Sequence, residues 1–285
     1  MLHLLETNKK PQTIVVRVET NKPEEICIVA KDKNKPNTYY IRRKGIVNGY
    51  RDFELEFPKS PSETIIAVYN KKNGLYNKMN GVNVGLKQDN SYKVSDVKVK
   101  DLVTCPIWMS QETVSFIKFA QEFAENASVL SAGDKVPHIY RSDDGKFNFD
   151  YYQKIRDRET GSYVNTPARI GHLTGIIEIS KQDFLKYSVP MRMVILLHEY
   201  SHKYLNPKKG FKISYETGAD INALLHYFSL GYSYIEAHQA FLYVFKGAKN
   251  EMNHKRYLII KDFIDKYSKG LINNCYAKSE SIVKK

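Results

Sequence analysis

Val194-Ile195-Leu196-Leu197-His198-Glu199-Tyr200-Ser201-His202 closes an apolar run that opens at Met191 and carries one charge, Arg192. A helix that is apolar on nearly all sides is a buried helix, so this stretch predicts a central helix with the C-terminal part of the chain folded around it. Four residues apart, His198 and His202 leave such a helix on one face. Two imidazoles at that spacing can bind one Zn²⁺ from the same side, with Glu199 beside them and within reach of a metal-activated water. The metal lowers the water's pKa and polarises a carbonyl, and the glutamate moves the proton as general base. H-E-x-x-H fixes only three residues in five and recurs by chance, so its surroundings carry the weight. Buried histidines need partners, and a metal supplies one to both. Tyr200 and Ser201, between them, are uncharged, as a buried motif requires.

The third ligand is expected from another element. Downstream lies Ser214-Tyr215-Glu216-Thr217-Gly218-Ala219-Asp220-Ile221-Asn222-Ala223-Leu224-Leu225. Glu216 and Asp220 again share a helix face, with Ser214 as the expected N-cap. A carboxylate turned into the packed face of Ala219, Ala223 and Leu224 is costly unless it meets a cation. Glu216 is therefore assigned as the third metal ligand. Asp220, one turn on, is placed to accept the spare N–H of a ligand histidine. An ordinary acidic helix start, favoured by the macrodipole, explains the same pair without a metal.

His198-Glu199-x-x-His202 followed by Glu216-x-x-x-Asp220 resembles the gluzincin class of zinc metallopeptidases, nearest in appearance to the minimal bacterial and phage zincins. The resemblance covers roughly Arg169 to Asn222. It implies a zincin fold, zinc held by His198, His202 and Glu216, and Glu199 as the catalytic base. Lys203, charged directly after the second histidine, and the short Lys203–Tyr215 segment depart from the class pattern.

Beyond the motifs, 285 residues suggest two domains. Hydrophobic content of 42% is ample for a packed core, and the net charge of +13 suits an anionic partner or plain solvation by lysines. Cys27, Cys105 and Cys275 are far apart and odd in number, with no C-x-x-C, which predicts reduced thiols and a reducing compartment. The N-terminal Met1–Glu6 turns polar too soon for a signal peptide. No apolar run approaches the ~20 residues that span a bilayer. The expected location is cytoplasmic, or within an assembly such as a virion.

Residues 1–103 read as β, with runs at Thr13–Val18, Ile26–Ala30, Thr38–Arg42, Phe53–Phe57, Thr64–Tyr69 and Tyr92–Val99 separated by turn-forming clusters. Their short spacing predicts an antiparallel β-sandwich that serves as a docking domain. Residues 104–270 form the expected zincin-like domain and 271–285 a tail, so the fold class is α+β. In the second domain, Ser110 caps a helix through Ala127 with a stripe of Phe116, Ile117, Ala120, Phe123, Ala124 and Ala127. Phe147–Ile155 and Gly171–Ser180 read as strands. By the resemblance, the second borders the cleft and pairs with extended substrate. His172 on it reads as an ordinary strand histidine, with lining of the cleft as the alternative. Pro190 fits the first turn of the motif helix, and Asn206-Pro207 with Gly210 ends it. Two further amphipathic helices, Tyr234–Phe245 and His254–Tyr267, carry His238, His254 and Arg256, candidates for stabilising an oxyanion or contacting substrate. Two functions compete: a zinc endopeptidase acting on a peptide or protein, and an interaction protein of a larger assembly that keeps a zincin domain.

Overall fold

The computed structural model describes residues 1–70, 91–205, 213–246 and 251–271. The chain is mixed α/β. It divides into two compact units, one of Met1–Val103 with Gln121–Leu130, the other of Thr104–Ala120 with Ser131–Lys285.

In the first unit, β1 (Leu2–Glu6), β2 (Gln12–Asp32), β3 (Tyr39–Phe57), β4 (Glu63–Asn70) and β5 (Tyr92–Lys100) form one five-stranded antiparallel sheet. This corrects the expectation of many short strands in a sandwich. The Thr13 and Ile26 runs are one strand, and the Thr38 and Phe53 runs are another. β3 pairs along nearly all of β2, while β5 takes Thr13–Thr20 and β4 takes Ile26–Asp32 on the opposite edge. The turn signals between the runs mark an irregularity inside the hairpin instead of a chain reversal. Pairing jumps from Thr20↔Gly49 to Glu24↔Val47, leaving Pro23 unpaired. A proline survives in a strand at such a bulge because no ladder N–H is needed from it. Gly49 takes φ +79, the left-handed region that costs a side-chain-bearing residue most. The core is aliphatic, with Ile14, Val16, Val18, Ile26, Ile28, Leu55 and Val68 all fully buried. Cys27 is a buried free thiol 3.2 Å from the Tyr69 hydroxyl. Cys275 lies outside the described residues.

The second unit is built on α1 (Gln111–Asn126), whose end belongs to the first unit, and a four-stranded sheet. Ser110 caps α1 through the Thr113 N–H at 3.1 Å, and the predicted stripe from Phe116 to Ala127 is buried. The sheet runs β6 (His138–Arg141), β7 (Asn148–Tyr152), β9 (Ile177–Ser180), β8 (Ala168–Ile170), with β7 and β9 parallel and the other pairs antiparallel. The predicted Gly171–Ser180 strand is therefore shorter. Its first half is a turn joining β8 to β9, and β8 lies at the sheet's end. α2 (Lys181–Phe184) leads into α3 (Val189–Tyr200), a π-helical turn (Ser201–Leu205), α4 (Ile213–Ser229), α5 (Tyr234–Lys246) and α6 (Glu251–Ser268). α4 begins at Ile213, so Ser214 stands inside it and is not its N-cap. The predicted stop at Asn206-Pro207 and Gly210, and the tail after Leu271, lie outside the described residues. No described helix is long and apolar enough to cross a membrane.

Candidate metal centre

α3 starts on Ser188, whose Oγ accepts the Met191 N–H at 3.4 Å, with Pro190 in the first turn. Every residue from Val189 to Leu197 is buried. Even Arg192 is fully buried, its Nε donating to the Phe184 carbonyl at 3.3 Å. The helix is thus fixed on all sides until it reaches the histidines. Behind them, Tyr200 stacks between Phe116 (4.1 Å) and Tyr204 (4.7 Å), with Phe147 edge-on to both tyrosines. Its hydroxyl shares a 3.1 Å hydrogen bond with Thr113.

The α-helix stops at Tyr200, and His202 sits in the π-helical turn that follows. π-turns insert one residue per turn and occur frequently at functional sites. Ser201 returns its Oγ to the Leu197 carbonyl at 2.6 Å. Nothing in the sequence periodicity announces this turn.

His198, His202 and Glu216 converge, each offering one ligand atom within 4.8 Å of the others. The two histidine Nε2 atoms lie 3.0 Å apart. Glu216 Oε1 is 3.5 Å from His202 Nε2, and Oε2 is 3.8 Å from His198 Nε2. Donors ~2.0–2.1 Å from one tetrahedral cation stand about 3.3 Å from one another, and the histidine pair at 3.0 Å and the Glu216 Oε1–His202 Nε2 pair at 3.5 Å lie on either side of that figure. The residues therefore fit a small cation with nitrogen and carboxylate ligands.

Asp220, fully buried, places Oδ1 2.8 Å from His198 Nδ1. The approach is close but off-axis, so it acts more as a charge contact than as a straight hydrogen bond. It holds the ring with Nε2 turned toward His202 and Glu216. Arg256, from α6, binds Asp220 through two nitrogens at 2.5 and 2.7 Å and reaches Glu216 Oε2 through a third at 2.8 Å. Burial opposes charge on each member, and the neighbours overcome it. His198 is raised by Asp220 and Glu199 despite burial, which alone would lower it. Glu216 is brought down to about 2 by His202, Arg256 and His198 against the opposing effect of burial. Arg256 is raised against burial by Asp220, Glu216 and Glu199. With both histidines neutral, as metal ligation requires, Glu199, Glu216 and Asp220 carry three formal negative charges against one positive charge on Arg256. A divalent cation would neutralise the remainder.

Glu199 is half-buried beside His198. The remaining sequence candidates separate. Arg256 is committed to the two carboxylates and so is not a spare oxyanion donor. His238 is 3.2 Å from the Tyr257 hydroxyl, and its pKa is lowered chiefly by burial. His254 is exposed. Neither joins the metal cluster. His172, read as an ordinary strand histidine, instead stands exposed in the β8–β9 turn, its ring edge-on to His202 at 5.9 Å. That turn is held to the π-helical turn by Lys203, which donates to the Leu173 carbonyl at 2.9 Å. Gly175 in it has φ +74, and a Cβ there would come 2.6 Å from the Tyr204 hydroxyl. The charge of Lys203 thus has a local use.

No family model, curated protein or solved structure matches this chain.

Proposed function

We propose that this chain is a zinc-dependent endopeptidase of zincin-like arrangement, with His198, His202 and Glu216 as ligands and Glu199 as general base. The observation that carries the reading is the convergence of three ligand atoms at separations suited to one cation, with a carboxylate adjacent in sequence to the first ligand. A bound zinc ion supplies Lewis acidity, polarising a carbonyl and acidifying water. The chain supplies the rest. Glu199 takes the proton of the attacking water and delivers it to the departing amine. β8, at the end of its sheet, offers an edge to an extended peptide by strand addition, and the exposed His172 lies in the turn after it, edge-on to His202. The β-sheet unit, which holds no comparable cluster among its described residues, is the docking module in this reading, for a larger assembly or an anionic partner.

The competing reading is an interaction protein, such as a virion component, that retains the cluster. Glu199→Gln separates the two. It keeps size and metal while removing the base, so chelator-sensitive cleavage of an unstructured protein should fall ~10²–10⁴-fold with zinc content unchanged. Wild-type protein that carries stoichiometric zinc yet cleaves none of a broad substrate set, with the variant indistinguishable from it, would transfer the assignment to the second reading.

A further inference from the structure

Two carboxylates one helical turn apart on α4 repel each other, and both are taken out of water: Asp220 is 0% and Glu216 19% exposed at the side chain. Arg256 is the group that reconciles them. Its planar guanidinium meets Asp220 with two nitrogens and Glu216 Oε2 with the third, and its own side chain is 12% exposed. Held this way, Glu216 keeps Oε1 toward His202, and Asp220 keeps Oδ1 against His198 Nδ1. One residue from a helix about 40 positions downstream therefore orients a ligand directly and a second ligand through its neighbour.

We propose that Arg256 is the positioning residue of this metal centre, setting cation affinity through the geometry of Glu216 and His198. The proposal rests on the metal-binding part of the reading above and not on peptidase activity. Two effects of the guanidinium oppose one another. Its positive charge disfavours a nearby cation, whereas its fork aims the ligands. If charge dominated, a neutral replacement would tighten metal binding and lysine would leave it unchanged. If aim dominates, both replacements weaken binding. Lysine fails because an ammonium is a point charge that cannot span two carboxylates with fixed geometry. Residues that orient metal ligands typically contribute ten- to a hundredfold in affinity, and aim is expected to win.

The test is zinc competition against a chromophoric chelator, with helix content followed by circular dichroism, for the wild-type chain, Arg256→Lys and Arg256→Gln. Expected is folded protein whose zinc affinity is about ten- to a hundredfold weaker in both variants. Arg256→Lys at wild-type affinity, or Arg256→Gln binding as tightly as wild type or tighter, overturns the proposal. So does loss of the fold in both variants with zinc present, which would make Arg256 a folding residue. Absence of zinc binding by the wild type would instead remove the metal reading itself.

Discussion

Arg17 and Asp52, in the β-sheet unit, form a two-bonded ion pair at 2.7 Å with side chains 40% and 38% exposed. Arg256 and Asp220 make a pair of the same chemistry with side chains 12% and 0% exposed. The first replaces water with protein at little gain. In the second, each charge depends on the others, because removing one partner strands its neighbour in a poorly solvating interior. The sheet is held by Ile14, Val16, Ile26 and Ile28, so its charged residues largely decorate it. Around α3 the apolar residues instead support a charged cluster that contributes nothing obvious to packing. Folding does not call for such a cluster, and perturbed buried charge of this kind collects at functional sites.

The largest expected effect breaks the symmetry between the units. Stripping zinc with a chelator, or changing His198 to Ala, should loosen the helical unit alone. At a metal concentration a thousandfold above Kd, the lost stabilisation is about 4 kcal/mol. Hydrogen exchange should then quicken in α3, α4 and α6 while β1–β5 keep their protection. Equal loosening of the sheet would show that the contrast is false.

A smaller effect is confined to the sheet. Gly49→Ala forces a Cβ into the left-handed region at φ +79 and should cost about 1–2 kcal/mol, lowering the thermal midpoint without touching zinc content.

Glu125 sharpens the comparison, because it is a buried carboxylate within the sheet unit, 7% exposed and 3.1 Å from Lys59 Nζ. Burial raises its pKa above the ordinary 4.5, and Lys59 offsets that only in part. The folded state therefore holds this proton to higher pH than the unfolded chain does. Stability from this group is lost as pH climbs from about 4.5 through the raised value. Glu125→Gln should raise the thermal midpoint at pH 7 and bring little change at pH 4. A midpoint lowered at both would mean that the ion pair with Lys59 outweighs burial.

The smallest effect belongs to the exposed pair. Asp52→Asn should shift stability only slightly, and high salt should erase the shift. A large, salt-insensitive loss would put Arg17–Asp52 in the same class as Arg256–Asp220.

Local chemistry made much of this legible. The apolar run before His198 required burial, Ser110 and Pro190 marked helix starts, and the spacing of His198, His202 and Glu216 picked out the residues that meet. These follow from periodicity, which is a property of neighbours in the chain. Other features belonged to contacts between distant segments. Turn-like residues at Thr20–Glu24 became a bulge because β3 continued alongside, and a hairpin partner is invisible from one strand. The π-helical turn at Ser201–Leu205 lies where Tyr200 stacks between Phe116 and Tyr204, with Phe147 edge-on to both tyrosines, while His202 faces His198. Arg256, read as one of three interchangeable cations, was assigned by tertiary structure alone. Only the packing of α6 on α4 brings its guanidinium to Glu216 and Asp220, and the free energy of a buried charge is set by what surrounds it in space.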